Sequence, residues 1–291
     1  MTGDIAFVEY RSLLFTVAYE IVGTVADAED VLQEAYLRWI DVDHTAVSDP
    51  RSYLAQIVTR QALNHLRTVR RRRESYVGTW LPEPVSTGSD PCADTGLAES
   101  VSMAMMVVLE SLTPDERVVL VLHQVFGFAL TEIARFTGKS PAAVRQLAHR
   151  SRAHVEARRR RFDPDPELAE QIVRRFLVSA KSGDLQGLMD LLAPDVVQVS
   201  DGGGKVTAAR RPVNGAATVA PFCIGVARKA PPLRAEFGRF NAMPAVVCWH
   251  GETAYQVLLF DIAHGAIQGI YAIRNPDKLA NIDQARVLSR Q

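Results

Sequence analysis

The spacing of the apolar residues changes once along this chain, near Pro164, and that change most limits what it can fold into. Before it, apolar residues recur three and four apart, the spacing of one helix face. Leu14, Val17, Ala18, Ile21, Val22 and Val25 make a first stripe, and Ala28, Val31, Leu32, Ala35 and Trp39 a second. Leu54, Ile57, Val58, Ala62, Leu66 and Val69 make a third, opened by Asp49-Pro50 as cap and first helical residue. Residues 97–112 read as one helix, Thr113-Pro114-Asp115-Glu116 as a capping box opening the next. Residues 130–137 and 141–161 read as a short and a longer helix. After the change, residues 168–192 read as helical. Strand-like runs follow at 196–200, 206–209, 233–240, 245–250, 254–262 and 266–273, with a helix over 213–226. Helices followed by a mostly antiparallel sheet make an α+β domain. The expected fold class is therefore multidomain, two all-α helical domains and then an α+β domain.

A length of 291 residues fits two or three domains. The formal charge is zero, but its layout is not even. Residues 1–50 hold two Arg against ten Asp or Glu; residues 50–73 hold seven Arg and no acid. Residues 139–161 hold eight Lys or Arg against Glu156 alone. Two basic blocks on an acidic chain suit phosphate contact. Arg60, Asn64, Arg67 and Arg71 share one face of the third helix by spacing. Three widely spaced cysteines, Cys92, Cys223 and Cys248, suggest neither a disulfide framework nor a metal site and fit a reducing cytoplasm. No apolar run is long enough for a transmembrane helix, and no secretory leader is expected at the N-terminus.

Residues 130–152 fit a helix-turn-helix. Ile133, Ala134, Val144 and Leu147 would pack the two helices, Gly138 would supply a left-handed turn and Ser140 a cap. The second helix then presents Arg145, Gln146, His149, Arg150 and Arg152 to bases or phosphates. Lys139 departs from the apolar residue usual in such turns.

Three motifs in order resemble the bacterial extracytoplasmic-function (ECF) sigma factors. Residues 27–39, DAEDVLQEAYLRW, look like the polymerase-binding helix of region 2. Residues 53–73 look like its promoter-melting and −10-reading helix, and 112–152 like region 4, which reads the −35 element. The resemblance implies that Asp30, Gln33 and Glu34 contact the β′ clamp helices of core polymerase. It implies that Arg60, Asn64, Arg67, Arg70 and Arg71 hold the opened promoter strand. Arg60 stands where many relatives have Asn and Asn64 where many have Asp, so no known promoter sequence carries over.

Residues 165–291 resemble the SnoaL-like branch of the NTF2-like fold, a sheet with helices closing a cone. Trp80-Leu81-Pro82-Glu83-Pro84, Asp201-Gly202-Gly203-Gly204-Lys205 and Asn275-Pro276-Asp277-Lys278-Leu279 look like the signature of the ECF subgroup with this extension. That implies regulation in cis through Trp80, Leu81, Pro82, Asp201, Lys205, Asn275, Asp277 and Lys278, without a separate anti-sigma protein. The implied partners are RNA polymerase core, through its β′ and β subunits, and promoter DNA. A small-molecule ligand of the C-terminal domain is a further expectation; no membrane, metal, cofactor or enzymatic activity is expected. His250 and Asp261 are inward-facing by alternation, but spacing does not bring them together. The domains are read as region 2 at 1–73, a linker at 74–100, region 4 at 101–161 and the SnoaL-like domain at 165–291. The alternative is a one-component helix-turn-helix regulator with a ligand-sensing domain.

Overall fold

The computed structural model describes residues 3–73, 75–87, 94–156 and 166–290. The chain forms two compact units, each assembled from separated stretches. One comprises Met1–Glu74, Met105–Arg159 and Val287–Gln291, the other Ser75–Ala104 and Arg160–Arg286.

In the first unit, α1 (Gly3–Val22), α2 (Val25–Ile40) and α3 (Pro50–Arg73) pack on one another. Thr24 caps α2 by accepting from the Asp27 amide, and Asp49 accepts from the Ser52 amide at the start of α3. The predicted stripes are the core: Leu14, Val17, Ala18, Ala28, Ala35, Leu54 and Val58 are all fully buried. The second part of the unit holds α5 (Met103–Glu110), α6 (Pro114–Leu120), α7 (Leu130–Thr137) and α8 (Pro141–Glu156). Its capping box is formed, with Thr113 and Glu116 bonding each other's backbone amides. Gly138 is left-handed at φ +67° and ends α7, and the Ser140 hydroxyl accepts from the Ala143 amide.

The single helix expected over 97–112 is two. A preceding α4 (Thr95–Val101) stops at Ser102, whose hydroxyl and amide both bond the Glu99 carbonyl, and α5 starts afresh. Two residues into α5, between Ala104 and Met105, the chain changes unit.

In the second unit, α9 (Pro166–Ser182), α10 (Leu185–Met189) and α11 (Ala216–Lys229) pack on one face of a six-stranded sheet. Its strands are β1 (Leu192–Asp201), β2 (Val213–Asn214), β3 (Arg234–Phe240), β4 (Met243–His250), β5 (Thr253–Ala263) and β6 (Ala266–Ile273), in the order β2-β1-β6-β5-β4-β3. The sheet is mixed: β1 runs parallel to β6, and every other pair is antiparallel. The helix expected over 168–192 is broken at Gly183, φ +80°. Residues 206–209 are loop, not strand, and the helix expected over 213–226 starts only after β2.

Residues 75–87 are built into this unit. Val85 exchanges backbone and side-chain bonds with Asn241, and Thr87 bonds the Arg239 carbonyl. Asn241 sits fully buried at the β3–β4 turn with φ +53°, and its amide nitrogen also donates to the Val101 carbonyl. Asn tolerates this left-handed geometry better than most residues, so one side chain holds two segments of the tether.

Candidate polymerase and nucleic-acid interfaces

Two of the acidic residues of α2 are paired with neighbouring helices. Glu29 pairs with Arg11 of α1 at 2.7 Å, and Asp27 lies 2.8 Å from His65 of α3. Asp30, Gln33 and Glu34 remain exposed. Between them and the helix end stand Tyr36, Leu37 and Ile40, exposed at 37, 54 and 47%. Positions 30, 33, 34, 37 and 40 follow helical spacing, so one face carries an apolar centre with an acidic flank. Leu37 and Ile40 were not singled out in the sequence, where the stripe of this helix runs through Ala28, Val31, Leu32, Ala35 and Trp39.

His65 is a titration point inside this helix pair. Contact with the Asp27 carboxylate raises its pKa above the ordinary 6.5, with Asp30 and Glu34 adding to the effect against desolvation. A raised folded-state pKa gives stability that is present below 6.5 and lost as pH rises through the folded value. The thermal midpoint of the protein should therefore fall between about pH 6 and pH 8. His65→Gln should flatten that fall; a profile parallel to wild type would exclude the linkage.

The basic face of α3 is engaged rather than open. Arg60 donates from Nε to the Phe136 carbonyl at 2.9 Å and from Nη2 to the Arg135 carbonyl at 3.1 Å. It thereby satisfies the free carbonyls at the C-terminal end of α7. Gln56 reaches the Arg135 carbonyl, and the Ser52 hydroxyl donates to Glu132 at the start of α7. Arg67 pairs with Asp115 of α6 at 2.9 Å, and Lys139 meets the other oxygen of the same carboxylate at 3.0 Å. That pairing gives the odd turn lysine its place. Arg117 is 2% exposed, donating to the Glu20 carbonyl of α1 at 2.7 Å and pairing with Glu110. Asn64 is exposed. Arg70 and Arg71 continue α3, and their side chains lie outside the described residues.

The helix-turn-helix has its second helix facing out. Val144, Leu147, Ser151 and Val155 are the buried face of α8. Arg145, Gln146, His149 and Arg152 are exposed, while Arg150 leans towards Glu116 with Nε at 3.4 Å.

In the second unit the three signature motifs converge on Asp201. This carboxylate is fully buried. Its Oδ1 accepts from the Tyr76 hydroxyl at 2.5 Å and the Gly203 amide at 3.0 Å. Its Oδ2 accepts from the Leu81 amide at 2.9 Å and Lys278 Nζ at 2.7 Å. Lys278 also donates to the Leu81 carbonyl and lies 4.1 Å from the centre of the Trp80 ring. Asn275 donates to Tyr76 at 2.9 Å and caps the 3₁₀ turn Pro276–Lys278. Burial and the Asp201 carboxylate push the Tyr76 pKa up, keeping the phenol a donor. Gly203, at φ +63°, has no room for a Cβ, which would stand 2.5 Å from the Asn275 side chain. Pro82 is buried in the same strap, and Lys205 pairs with Asp277 at 2.6 Å on the exposed side. Tyr76 was missed in the sequence because it precedes the recognisable motif.

His250 and Asp261 do not meet. His250 is exposed at the end of β4. Asp261 pairs with Gly269, beside the Phe260–Ile270 pair that faces the helices, and so lies on the other face. Asp201 is an ion-paired anchor rather than a turn residue. Among the described residues no group of three or more His, Cys, Asp or Glu could hold a metal, and no helix is long and apolar enough to cross a membrane.

Comparison with known proteins decides what these interfaces belong to. Sigma-70 region 2 matches residues 6–72 and Sigma-70 region 4 matches residues 102–155. The ECF RNA polymerase sigma factor SigJ of Mycobacterium tuberculosis is 40% identical over 286 residues, covering 94% of this chain and 91% of its own. This chain belongs to the ECF sigma factors. The probable ECF sigma factor SigI of M. tuberculosis is 31% identical over 93% of this chain and 92% of its own. The crystal structure of M. tuberculosis SigJ superposes with a TM-score of 0.76 at 35% identity, covering 96% of this chain and 98% of that one. The fold is thus that of a sigma factor with helical regions 2 and 4 and a C-terminal mixed-sheet domain. As an ECF sigma factor the protein is a transcription initiation factor, not an enzyme, with core polymerase and promoter DNA as partners. The one-component regulator is not favoured, since both polymerase-directed regions are matched.

Proposed function

We propose that this sigma factor acts in the cytoplasm and is held in check within its own chain, with no separate anti-sigma protein. In this reading α2 docks on the β′ clamp helices through Asp30, Gln33, Glu34 and the apolar Leu37 and Ile40, and region 4 contacts the β subunit. Arg60, Asn64, Arg67, Arg70 and Arg71 hold the melted −10 strand. Arg145, Gln146, His149, Arg150 and Arg152 read the −35 duplex. The domain divisions follow the same lines, 1–73 and 101–161 for the DNA-directed regions and 165–291 for the regulator.

The observation that carries the restraint is the engagement of Arg60 and Arg67 by α6 and α7. A guanidinium bonded to helix-end carbonyls is not available to a nucleic-acid strand, so promoter opening requires regions 2 and 4 to separate. The tether between them, residues 75–104, is part of the second unit. Through Asp201, Lys278, Asn275, Trp80 and Leu81, with Pro82 in the strap and the Lys205–Asp277 pair at its edge, that unit fixes the tether. Exposed ion pairs contribute only about 0–1 kcal/mol each. A brake of one such pair, Arg67–Asp115, with the hydrogen bonds of Arg60 and Gln56 beside it, is therefore one that polymerase can release.

Asp115→Lys tests this, because it turns the two attractions to Arg67 and Lys139 into repulsions. In run-off transcription with core polymerase, the full-length variant should be more active by roughly three- to tenfold, the equivalent of about 1 kcal/mol. Unchanged or lower output with normal folding would rule out the brake.

A further inference from the structure

We propose that Arg274 is the centre of an anion site that takes a phosphate group, either free phosphate or the phosphate of a small ester. Arg274 follows Ile273, the last paired residue of β6, and its amide donates to the Asp201 carbonyl at 2.7 Å. Its backbone is therefore fixed. The side chain is held on two further sides. The guanidinium carbon lies 4.4 Å from the centre of the Tyr255 ring, and Nη1 donates to the Thr207 carbonyl. Tyr255 is the unpaired residue of a β5 bulge, between Ala254 opposite Trp249 and Gln256 opposite Cys248. A bulge re-aims the side chain it carries, and bulges recur beside functional sites.

These contacts leave the Nε–Nη2 edge of the guanidinium open. Nε is buried and has no hydrogen-bond partner. The acids of the two adjoining motifs are taken, Asp201 by Lys278 at 2.7 Å and Asp277 by Lys205 at 2.6 Å. Arginine does not shed its charge, so a half-buried guanidinium without an anion keeps its desolvation cost. Two parallel N–H groups on one edge match two oxygens of a carboxylate or phosphate, and stacking on a ring holds the plane still for them.

The loop that carries Thr207 decides between those anions. Arg210 and Arg211 are exposed on it, and among the described residues no salt bridge engages either. Three guanidinium groups gathered at one loop suit a doubly charged phosphate better than a single carboxylate. An oxygen reaches the buried Nε only as the Thr207 carbonyl and its loop give way. Binding and loop movement are thus one event, and such a covered edge admits a small molecule rather than a nucleic-acid backbone.

The amides of Arg274 and Asn275 both end on the Asp201 carbonyl, so the site adjoins the residue that holds the tether. Any effect of occupancy on transcription rests on the cis regulation proposed above; the binding does not.

The test titrates the full-length protein by calorimetry with phenyl phosphate, inorganic phosphate, benzoate and phenol. Phosphate in one or both forms should bind saturably, and the tighter of the two names the source, ester or free ion. Benzoate should bind roughly fivefold more weakly or worse, and phenol should not saturate. Arg274→Gln should abolish binding. Arg274→Lys keeps a charge but loses the two-pronged edge, and should weaken it roughly tenfold. That variant also serves should Arg274→Gln fail to fold. Joint replacement of Arg210→Ala and Arg211→Ala should weaken binding roughly threefold and reduce its salt dependence. A methyl signal of Val206, on the same loop, should shift as the site fills. Absence of saturable phosphate binding, or equal affinity for benzoate or phenol, would overturn the proposal and leave the guanidinium to water. Phosphate binding unchanged in both Arg274 variants would overturn it too, placing the anion on the DNA-directed arginines of the other unit. Calorimetry is independent of transcription, so its failure is distinct from failure of the Asp115→Lys experiment.

Discussion

Asp201→Ala should lower the thermal midpoint of the C-terminal unit by on the order of 10 °C, the largest stability effect expected of a single substitution here. The carboxylate is fully buried and holds one ammonium, two amides and a phenol at once. Its removal strands Lys278, which is 6% exposed, and removing one partner of a buried pair typically costs about 3–5 kcal/mol. Lys278→Met should be milder, because the carboxylate keeps three donors from Tyr76, Leu81 and Gly203. Pairing Asp201→Leu with Lys278→Met should not recover wild-type stability, since the Leu81 amide would lose its acceptor. Denaturation of the three variants, followed by near-ultraviolet signals of Trp80, checks the order. Equal losses for Asp201→Ala and Lys278→Met would mean that the ion pair, and not the carboxylate's other bonds, sets the cost.

The proposed docking of α2 gives the largest functional effect. Leu37→Glu should weaken binding to core polymerase by at least about twentyfold, since a central apolar anchor is typically worth 2 kcal/mol or more. Leu37 is 54% exposed, so its replacement should not unfold region 2. Leu185→Glu, at a comparable 49% exposure on the other unit, is the matched control and should leave binding unchanged. Asp30→Ala and Glu34→Ala should have smaller effects, felt mainly in the association rate and its salt dependence. Retained affinity in Leu37→Glu would move the polymerase contact away from this face.

Much of region 2 and region 4 was legible because short-range rules decide it. Thr113-Pro114-Asp115-Glu116 forms the capping box it spells, and Gly138 and Ser140 make the turn as read. What was not legible depends on pairing across long stretches of chain. Nothing local to Arg60 shows that it will bond carbonyls at residues 135 and 136. The same holds for Asn241, which reads as an ordinary turn residue until Val85 and Val101 arrive beside it. Residues 206–209 have the β-branched content of a strand but sit in the loop after Asp201, where Lys205 and Val206 bond back to Gly202. Leu37 was passed over because it lies outside the α2 stripe that packs within the chain. Apolar periodicity identifies a face to be covered, and cannot say whether this chain or another covers it.

The tether's construction also bears on how the protein is made. Tyr76 and Leu81 leave the ribosome well before their partners: Asp201 follows Leu81 by 120 residues and Lys278 by 197. Neither unit is a continuous piece of chain, so neither can be completed and set aside while the other is synthesised. Long-range closure of this kind slows folding. It also means that cutting the chain after region 4 does not cleanly delete a regulator. Such a product would keep Leu81, Val85, Leu97 and Val101, all buried in the full protein, without Asp201 and the other groups that bind this segment. A change in the activity of that product would report a newly sticky segment as well as a lost regulator, whereas a point change at Asp115 leaves the segment its partners to fold against.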